Sequence, residues 1–239
     1  MIANNLDICK VMKKKILMSR NKMHFIPNMA DDEIFFPFKS IDQRKKRNLL
    51  FNDQNNKLFI FGIFGSYKPQ KNQIVAIEAM KSLNENNQLS NISVKCFGDK
   101  NCVNSQYVIL EKIIDEYGLN SYIKLNDKKA NVNQYINSVD AILLPSKYEG
   151  YPNIVMEAIL CNKPIIISDA ANNENLVKDN INGLTFENNN PLALAKKMYQ
   201  LKNNYIVIDK KEKMKFISEH SIKNITEKYI NIFQSLIMN

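Results

Sequence analysis

Histidine is nearly absent from this chain, with His24 and His220 the two examples in 239 residues. No H-x-x-x-H pair or cluster of Cys and His occurs, so no zinc or other metal site is expected. Cysteine is almost as scarce. Cys9, Cys96, Cys102 and Cys161 form no C-x-x-C pair, which argues against a disulfide scaffold and fits a reducing cytoplasm. No apolar run approaches the roughly 20 residues of a membrane span. Nor does a signal-peptide hydrophobic region precede the basic run Lys13 to Lys15, so any membrane contact is expected to be peripheral. Residues 62–66 read G-x-x-G-S, without the G-x-G-x-x-G turn of a nicotinamide dehydrogenase.

What is present is an ordinary globular composition, 45% hydrophobic and 24% charged, which predicts one large domain with appendages. The net charge of +9 is concentrated at the start, where residues 1–50 carry 11 Lys/Arg against 5 Asp/Glu. Lys13 to Lys15 and Arg44 to Arg47 supply most of it. Such clusters meet anionic lipid, nucleic acid or only water on a solvated helix face. They lack interleaved aromatics and any RNA or DNA motif, so no nucleic-acid partner is expected. The abundant Asn and Lys read as compositional bias, with 188–190 a loop before a helix starting at Pro191.

From residue 57 the chain alternates short β-rich runs (58–64, 92–97, 122–125, 141–144, 164–167 and 184–186) with amphipathic stretches at 72–83, 106–117, 132–138, 153–161, 175–178 and 191–201. That alternation predicts an α/β domain with a doubly wound parallel sheet, whose ligand lies beyond the carboxyl ends of the strands near the switch point. Residues 1–50 read as a separate piece: a basic helix over 3–19, a short strand over 23–26, then a polar connection containing Pro37. The tail over 210–238 reads as one or two helices.

The segment from Leu144 to Ala158, LPSKYEGYPNIVMEA, follows a β-run and opens a helix. Gly150 permits close backbone approach, Pro152 sets a helix-compatible φ, and the N–H groups of Asn153, Ile154 and Val155 stand at a helix N-terminus, which favours an anion. Glu157 falls about one turn inside that helix, roughly 6 Å along it, with Glu149 on the loop before it. Each acid alone reads as a surface charge. Two carboxylates flanking a phosphate-sized pocket instead suit a ligand carrying both phosphate and hydroxyls, a nucleotide sugar.

With these residues the chain resembles the group 1 (family 4) retaining glycosyltransferases of GT-B fold. The family's E-x7-E motif matches Glu149 to Glu157, with Gly150, Tyr151, Pro152 and Asn153 between. Residues 65–72 resemble its G-R-L-x-P-Q-K-G loop, Gly98-Asp99 its strand-end G-D, and 163–169 with 182–184 the strand and N-G turn after the motif. The resemblance implies a Rossmann-like donor-binding domain over 41–208. Residues 1–40 would then be a remnant of the acceptor domain and linker, and 209–239 C-terminal helices. It implies that Glu157 holds ribose hydroxyls, that Glu149 lies by the donor sugar, that Lys71 contacts the diphosphate beside Gly65 and Ser66, and that the base lies near Asn126, Asp127 and Lys128. Glu149 and Lys71 are the expected catalytic residues, acting on a UDP- or GDP-linked sugar without metal or other cofactor, in keeping with the absence of any D-x-D.

Two departures matter. Ser66 stands where the family has Arg, replacing a bidentate charge with one neutral hydroxyl; Lys68 is a possible substitute. Where the family has an acid after the next strand, this chain has Asn175, with Glu174 beside it. The chain also begins where an acceptor domain would be ending, with residues 23–28 resembling the last strand and interdomain turn. Two expectations therefore stand together. One is a hexosyltransferase-like donor domain acting on a glycan or lipid-linked acceptor in surface polysaccharide synthesis. The other is a nucleotide-sugar-binding or docking subunit that needs a separate acceptor-domain partner.

Overall fold

The computed structural model describes residues 2–4, 24–53 and 57–237. Residues 5–19 of the expected basic helix, and with them Lys13 to Lys15, lie outside these. At its start, β1 (Ile2–Ala3) pairs in parallel with β2 (His24–Phe25).

Six strands form the main sheet: β3 (Phe59–Phe64), β4 (Ile92–Gly98), β5 (Ile123–Asp127), β6 (Ala141–Leu144), β7 (Ile165–Ser168) and β8 (Gly183–Phe186). Their order is β5-β4-β3-β6-β7-β8 and every pairing is parallel, the doubly wound sheet expected. Helices α1 (Ser40–Phe51), α2 (Gln73–Glu85), α3 (Tyr107–Glu116), α4 (Val132–Ser138), α5 (Asn153–Leu160), α6 (Pro191–Asn203), α7 (Lys210–His220) and α8 (Ile222–Ile237) surround it.

The strands β3, β6 and β7 in the middle of the sheet are apolar at nearly every position because both faces are covered, whereas the edge strand β5 carries Lys124, Asn126 and Asp127. Successive side chains point to opposite faces. Phe61, Ile63, Leu143 and Ile166 pack with Val75 and Met80 of α2 and Met198 of α6. Ile60, Ile142, Ile165 and Ile167 pack with Val155 and Ile159 of α5. The chain runs outward from β3 to β5 and then crosses to β6 on the other side of β3. The carboxyl ends of β3 and β6 therefore flank the switch point, where the two windings leave a crevice.

Two stretches differ from expectation. The polar connection after Pro37 contains α1, and Arg47 on it is only 8% exposed, so the basic run is not simply a solvated face. Residues 175–178 form no helix. Asn175 has φ 52°, and the Asn172 amide closes on Val177 through both its N–H and C=O, which holds the segment as a turn. The short strand near residue 24 is present, and residues around it dock on the body: Ala30 N–H donates to the His220 carbonyl at 2.9 Å, and Ala30 packs with Tyr151, Met156 and Leu160.

Asparagine has a backbone use here. The chain has only six glycines. Among the described residues nine asparagines but one glycine, Gly118, adopt positive φ. Asn is the residue with a side chain that enters the left-handed region at least cost.

Candidate functional site

The loop after β3 is shaped by close packing. Gly65 N–H donates to the Phe97 carbonyl at 2.9 Å. A Cβ on Gly98 would lie 2.1 Å from the Gly65 carbonyl oxygen, so the β4 end accepts no larger residue there. Tyr67, fully buried, donates from Oη to the Asn126 carbonyl at 2.6 Å, and Gln73 Nε2 donates to the Ser66 carbonyl at 3.0 Å. A short 3₁₀ turn, Pro69–Lys71, follows and ends at Asn72 with φ 56°. Asn72 stands where the resembled loop has Gly, and the left-handed turn accounts for both residue types.

That turn lays the Lys71 stem across Gly65, whose Cβ would be 3.3 Å from Lys71 Cδ and Cε. Lys71 Nζ then meets Glu149 Oε1 at 2.7 Å. Ser146 Oγ donates to the same oxygen at 2.6 Å. The pair is largely shielded, with side chains 23% and 10% exposed. Two further bonds clasp the β3 and β6 loops: Lys147 N–H to the Gln70 carbonyl at 2.8 Å, and Gln70 Nε2 to the Tyr148 carbonyl at 2.8 Å.

Helix α5 opens toward this pair. Pro152 is its N-cap, with φ −73° and ψ 107°, rather than its first helical residue. Proline offers no capping side chain, and Val155 N–H is already bonded to the Pro152 carbonyl at 3.1 Å. The N–H groups of Asn153 and Ile154 find no acceptor among the described residues; free groups of this kind, with the helix dipole, attract anions. Glu157 lies one turn further in, half-buried. Burial pushes its carboxyl up to about 7, and it has no hydrogen-bond partner among the described residues. The two acids are thus unlike: Glu149 is ion-paired, whereas the partial burial of Glu157 favours its neutral form.

Other expected residues divide. Lys128 lines an open cleft of about 280 Å³ with Gly65, Ser66, Gly98, Asp99 and Lys129, and its Nζ is 3.5 Å from Asp99 Oδ2. Phe64 and Phe97 stack at 5.1 Å in its wall. The Asn126 amide is instead held by the Cys96 and Lys124 carbonyls, and Asp127 is exposed with Oδ1 on Lys128 N–H. Gly150 is exposed, and a Cβ there would meet nothing within 4 Å. The Tyr151 side chain is not brought to the site. It is buried and hydrogen-bonds through Oη to His220 Nε2, so only its backbone belongs to the loop. Asn153 accepts from Asn28 Nδ2 at 2.7 Å. Glu174 and Asn175 line a separate cavity beside α7, and Lys68 is exposed. Lys129 and the Ser146 contact went unread in the sequence; the dibasic Lys128-Lys129 at a strand end is the signal for the former.

A family model for glycosyl transferases group 1 matches residues 42–220. The chain is 28% identical over 183 residues to an uncharacterized glycosyltransferase of Methanocaldococcus jannaschii, covering 75% of this chain and 48% of that protein. It is 23% identical over 228 residues to the UDP-Gal:alpha-D-GlcNAc-diphosphoundecaprenol alpha-1,3-galactosyltransferase of Escherichia coli, covering 95% of this chain and 57% of that one. Among solved structures it shares the fold of Anabaena HepE in complex with UDP and glucose, with a TM-score of 0.84 at 20% identity over 98% of this chain and 62% of that one. The chain spans about half the length of the curated relatives it matches.

Proposed function

Since the chain belongs to the group 1 glycosyl transferases, we propose that its switch-point loops hold the diphosphate and ribose of a UDP- or GDP-linked sugar, and that the whole protein transfers this sugar with retention and without a metal ion. The observation that carries the reading is the Lys71–Glu149 pair, 2.7 Å across the crevice, set before the unbonded N–H groups of Asn153 and Ile154. As the glycosidic bond to the diphosphate breaks, negative charge grows on the bridging oxygen. Lys71 and the two N–H groups meet that charge and take the part a divalent cation would otherwise play. Glu157 is placed to accept ribose hydroxyls, which a half-buried carboxylate without a cation partner binds better than phosphate. Glu149 remains beside the sugar, steadied by Ser146.

The acceptor of this reading is a glycan or lipid-linked saccharide in surface polysaccharide synthesis, with the protein working at the cytoplasmic face of a membrane. The Escherichia coli relative, a UDP-Gal:alpha-D-GlcNAc-diphosphoundecaprenol alpha-1,3-galactosyltransferase, supports it. Proton NMR of an α-linked UDP- or GDP-sugar incubated with the whole protein tests the stereochemistry. The α-anomer is expected first, at a rate unchanged by EDTA; a β-anomer first, or loss of turnover in EDTA, contradicts retention or metal independence respectively.

Ser66 and an exposed apolar surface favour a second reading. Met29, Ile34 and Phe36 are 49%, 55% and 48% exposed, and Ser66 supplies no charge where the resembled loop has Arg. In this reading the chain holds the donor for a separate acceptor-domain subunit. Donor binding without turnover until such a subunit is added supports it; a monodisperse monomer that turns over alone counts against it.

A further inference from the structure

A cavity of about 540 Å³ lies at the amino-terminal ends of the strands, away from the crevice. Its walls meet where β3, β6 and β7 begin. Six residues of β3 at about 3.3 Å each place it ~20 Å from Lys71. Four cations with hydrogen-bonding capacity to spare converge from four segments: Arg44 on α1, Lys57 before β3, Lys163 before β7 and Lys202 on α6.

Lys163 is the unusual one. It is 7% exposed, lines the cavity, and its ammonium has neither hydrogen bond nor ion pair to any described residue. A lysine so nearly enclosed and without a partner is rare, and the cavity is where its ammonium can meet one. Burial lowers it to about 8, with Asp140 attracting it only from beyond ion-pair distance. Asp140, the carboxylate in the wall, is committed elsewhere. Both its oxygens accept from Arg47 Nη1, at 2.9 and 2.8 Å, and Oδ2 also accepts from Ile60 N–H at 2.7 Å. Arg47 also pairs with Asp53 at 2.7 Å, so Arg47 and the two carboxylates together leave one negative charge, which is outnumbered by the four remaining cations that line the void. Lys202 gives one of its three protons to the Ser90 carbonyl at 2.6 Å, which leaves two.

We infer that this cavity is a second anion site, distinct from the crevice, and that it takes a diphosphate group through Lys163, Arg44, Lys57 and Lys202. A single phosphate fills only a small part of the volume, whereas two linked phosphates occupy more of it and offer oxygens to more than one of these cations. Arg44 supplies a planar two-pronged donor and the lysines point charges, the usual means of holding phosphate oxygens. The group is either a free diphosphate or the headgroup of a diphosphate lipid, since the chemistry is common to both.

Calorimetry with inorganic pyrophosphate on the full chain, and on Lys163→Met, Arg44→Gln and Lys71→Met, tests the site. Because the crevice should also take pyrophosphate, two classes of binding are expected: one at least tenfold weaker in Lys163→Met and in Arg44→Gln and retained in Lys71→Met, the other lost only in Lys71→Met. The exposed Arg44 keeps the test sound if Lys163→Met fails to fold, as judged by its circular dichroism melt. Co-sedimentation with phosphatidylcholine vesicles, with and without a polyprenyl diphosphate, separates the sources. Sedimentation that needs the diphosphate lipid and is lost in Arg44→Gln assigns the lipid; pyrophosphate binding without sedimentation assigns the soluble anion. The site is overturned if pyrophosphate does not bind, if binding is indifferent to both cavity variants, or if all binding disappears in Lys71→Met, which would place the anion in the crevice.

Discussion

Lys71 Nζ and Glu149 Oε1 lie 2.7 Å apart although 78 residues separate them in the chain. Each comes from one side of the switch point, so the ion pair joins the two windings of the sheet at the place where a ligand enters. A diphosphate arriving at the α5 N-terminus competes with Glu149 for the same ammonium. The two partners therefore have opposite predicted effects. Lys71→Met removes a charge-assisted contact, costing about 1.5–3 kcal/mol, and should weaken UDP or GDP binding at least tenfold. Glu149→Gln keeps an acceptor for Ser146 but removes the competitor, so the nucleotide should bind as tightly or more tightly while sugar transfer falls. Calorimetry paired with a transfer assay checks both.

The β4 end is predicted to tolerate no side chain. Gly98→Ala would place a Cβ 2.1 Å from the Gly65 carbonyl, where backbone rather than a flexible side chain must yield. A cost of about 1–3 kcal/mol is expected for such overpacking, together with loss of nucleotide binding because the loop carrying Ser66 and Lys71 is displaced. Urea denaturation and calorimetry on the same variant check the two effects.

Glu157 should make the fold less stable toward alkaline pH. Burial raises its carboxyl in the folded chain from 4.5 to about 7, so across that interval the folded state holds a proton that the unfolded state has lost. Stability falls as pH rises from about 4.5 to about 7 and then levels. Glu157→Gln, always neutral, should flatten this component and be the more stable protein at pH 8. A gain on the order of 1 kcal/mol corresponds to roughly 2–4 °C in Tm for a chain of this size, measurable by melts at pH 5 and pH 8.

Arg47 is predicted to be the costliest charge to remove. Its guanidinium bonds Asp53 at 2.7 Å, both oxygens of Asp140, and the Leu58 carbonyl, tying α1 to the starts of β3 and β6. Arg47→Met leaves two carboxylates and a carbonyl without their donor, at about 3–5 kcal/mol. Equilibrium urea unfolding should show it, whereas Arg44→Gln, on the exposed side of the same helix, should change stability by no more than about 0.5 kcal/mol.

The sheet was legible in the sequence because both of its faces are buried. Runs such as 58–64 and 164–167 contain little but apolar residues, and the turns between them break the pattern cleanly. The loop from Pro145 to Asn153 was legible because its Gly, Pro and acidic residues are contiguous. Contacts between distant segments were not. Nothing near Glu149 announces Lys71, and nothing in the polar run of α1 shows that Arg47 turns inward to Asp140. The inward turn of the Tyr151 ring was not legible because position in the motif does not reveal which way a loop residue faces; the partner that draws it inward, His220, lies 69 residues on. The turn at 175–178 was not legible because left-handed asparagine leaves no mark in an apolar pattern.

The most direct measurement is isothermal titration of the chain with UDP, GDP, ADP and their sugars, repeated on Glu157→Ala. One uridine or guanosine diphosphate series should bind in the absence of divalent metal, with affinity reduced at least tenfold by Glu157→Ala and by Lys71→Met. Failure of every nucleotide to bind, or binding indifferent to Glu157→Ala, would contradict the assignment of a nucleotide-sugar site to the switch point.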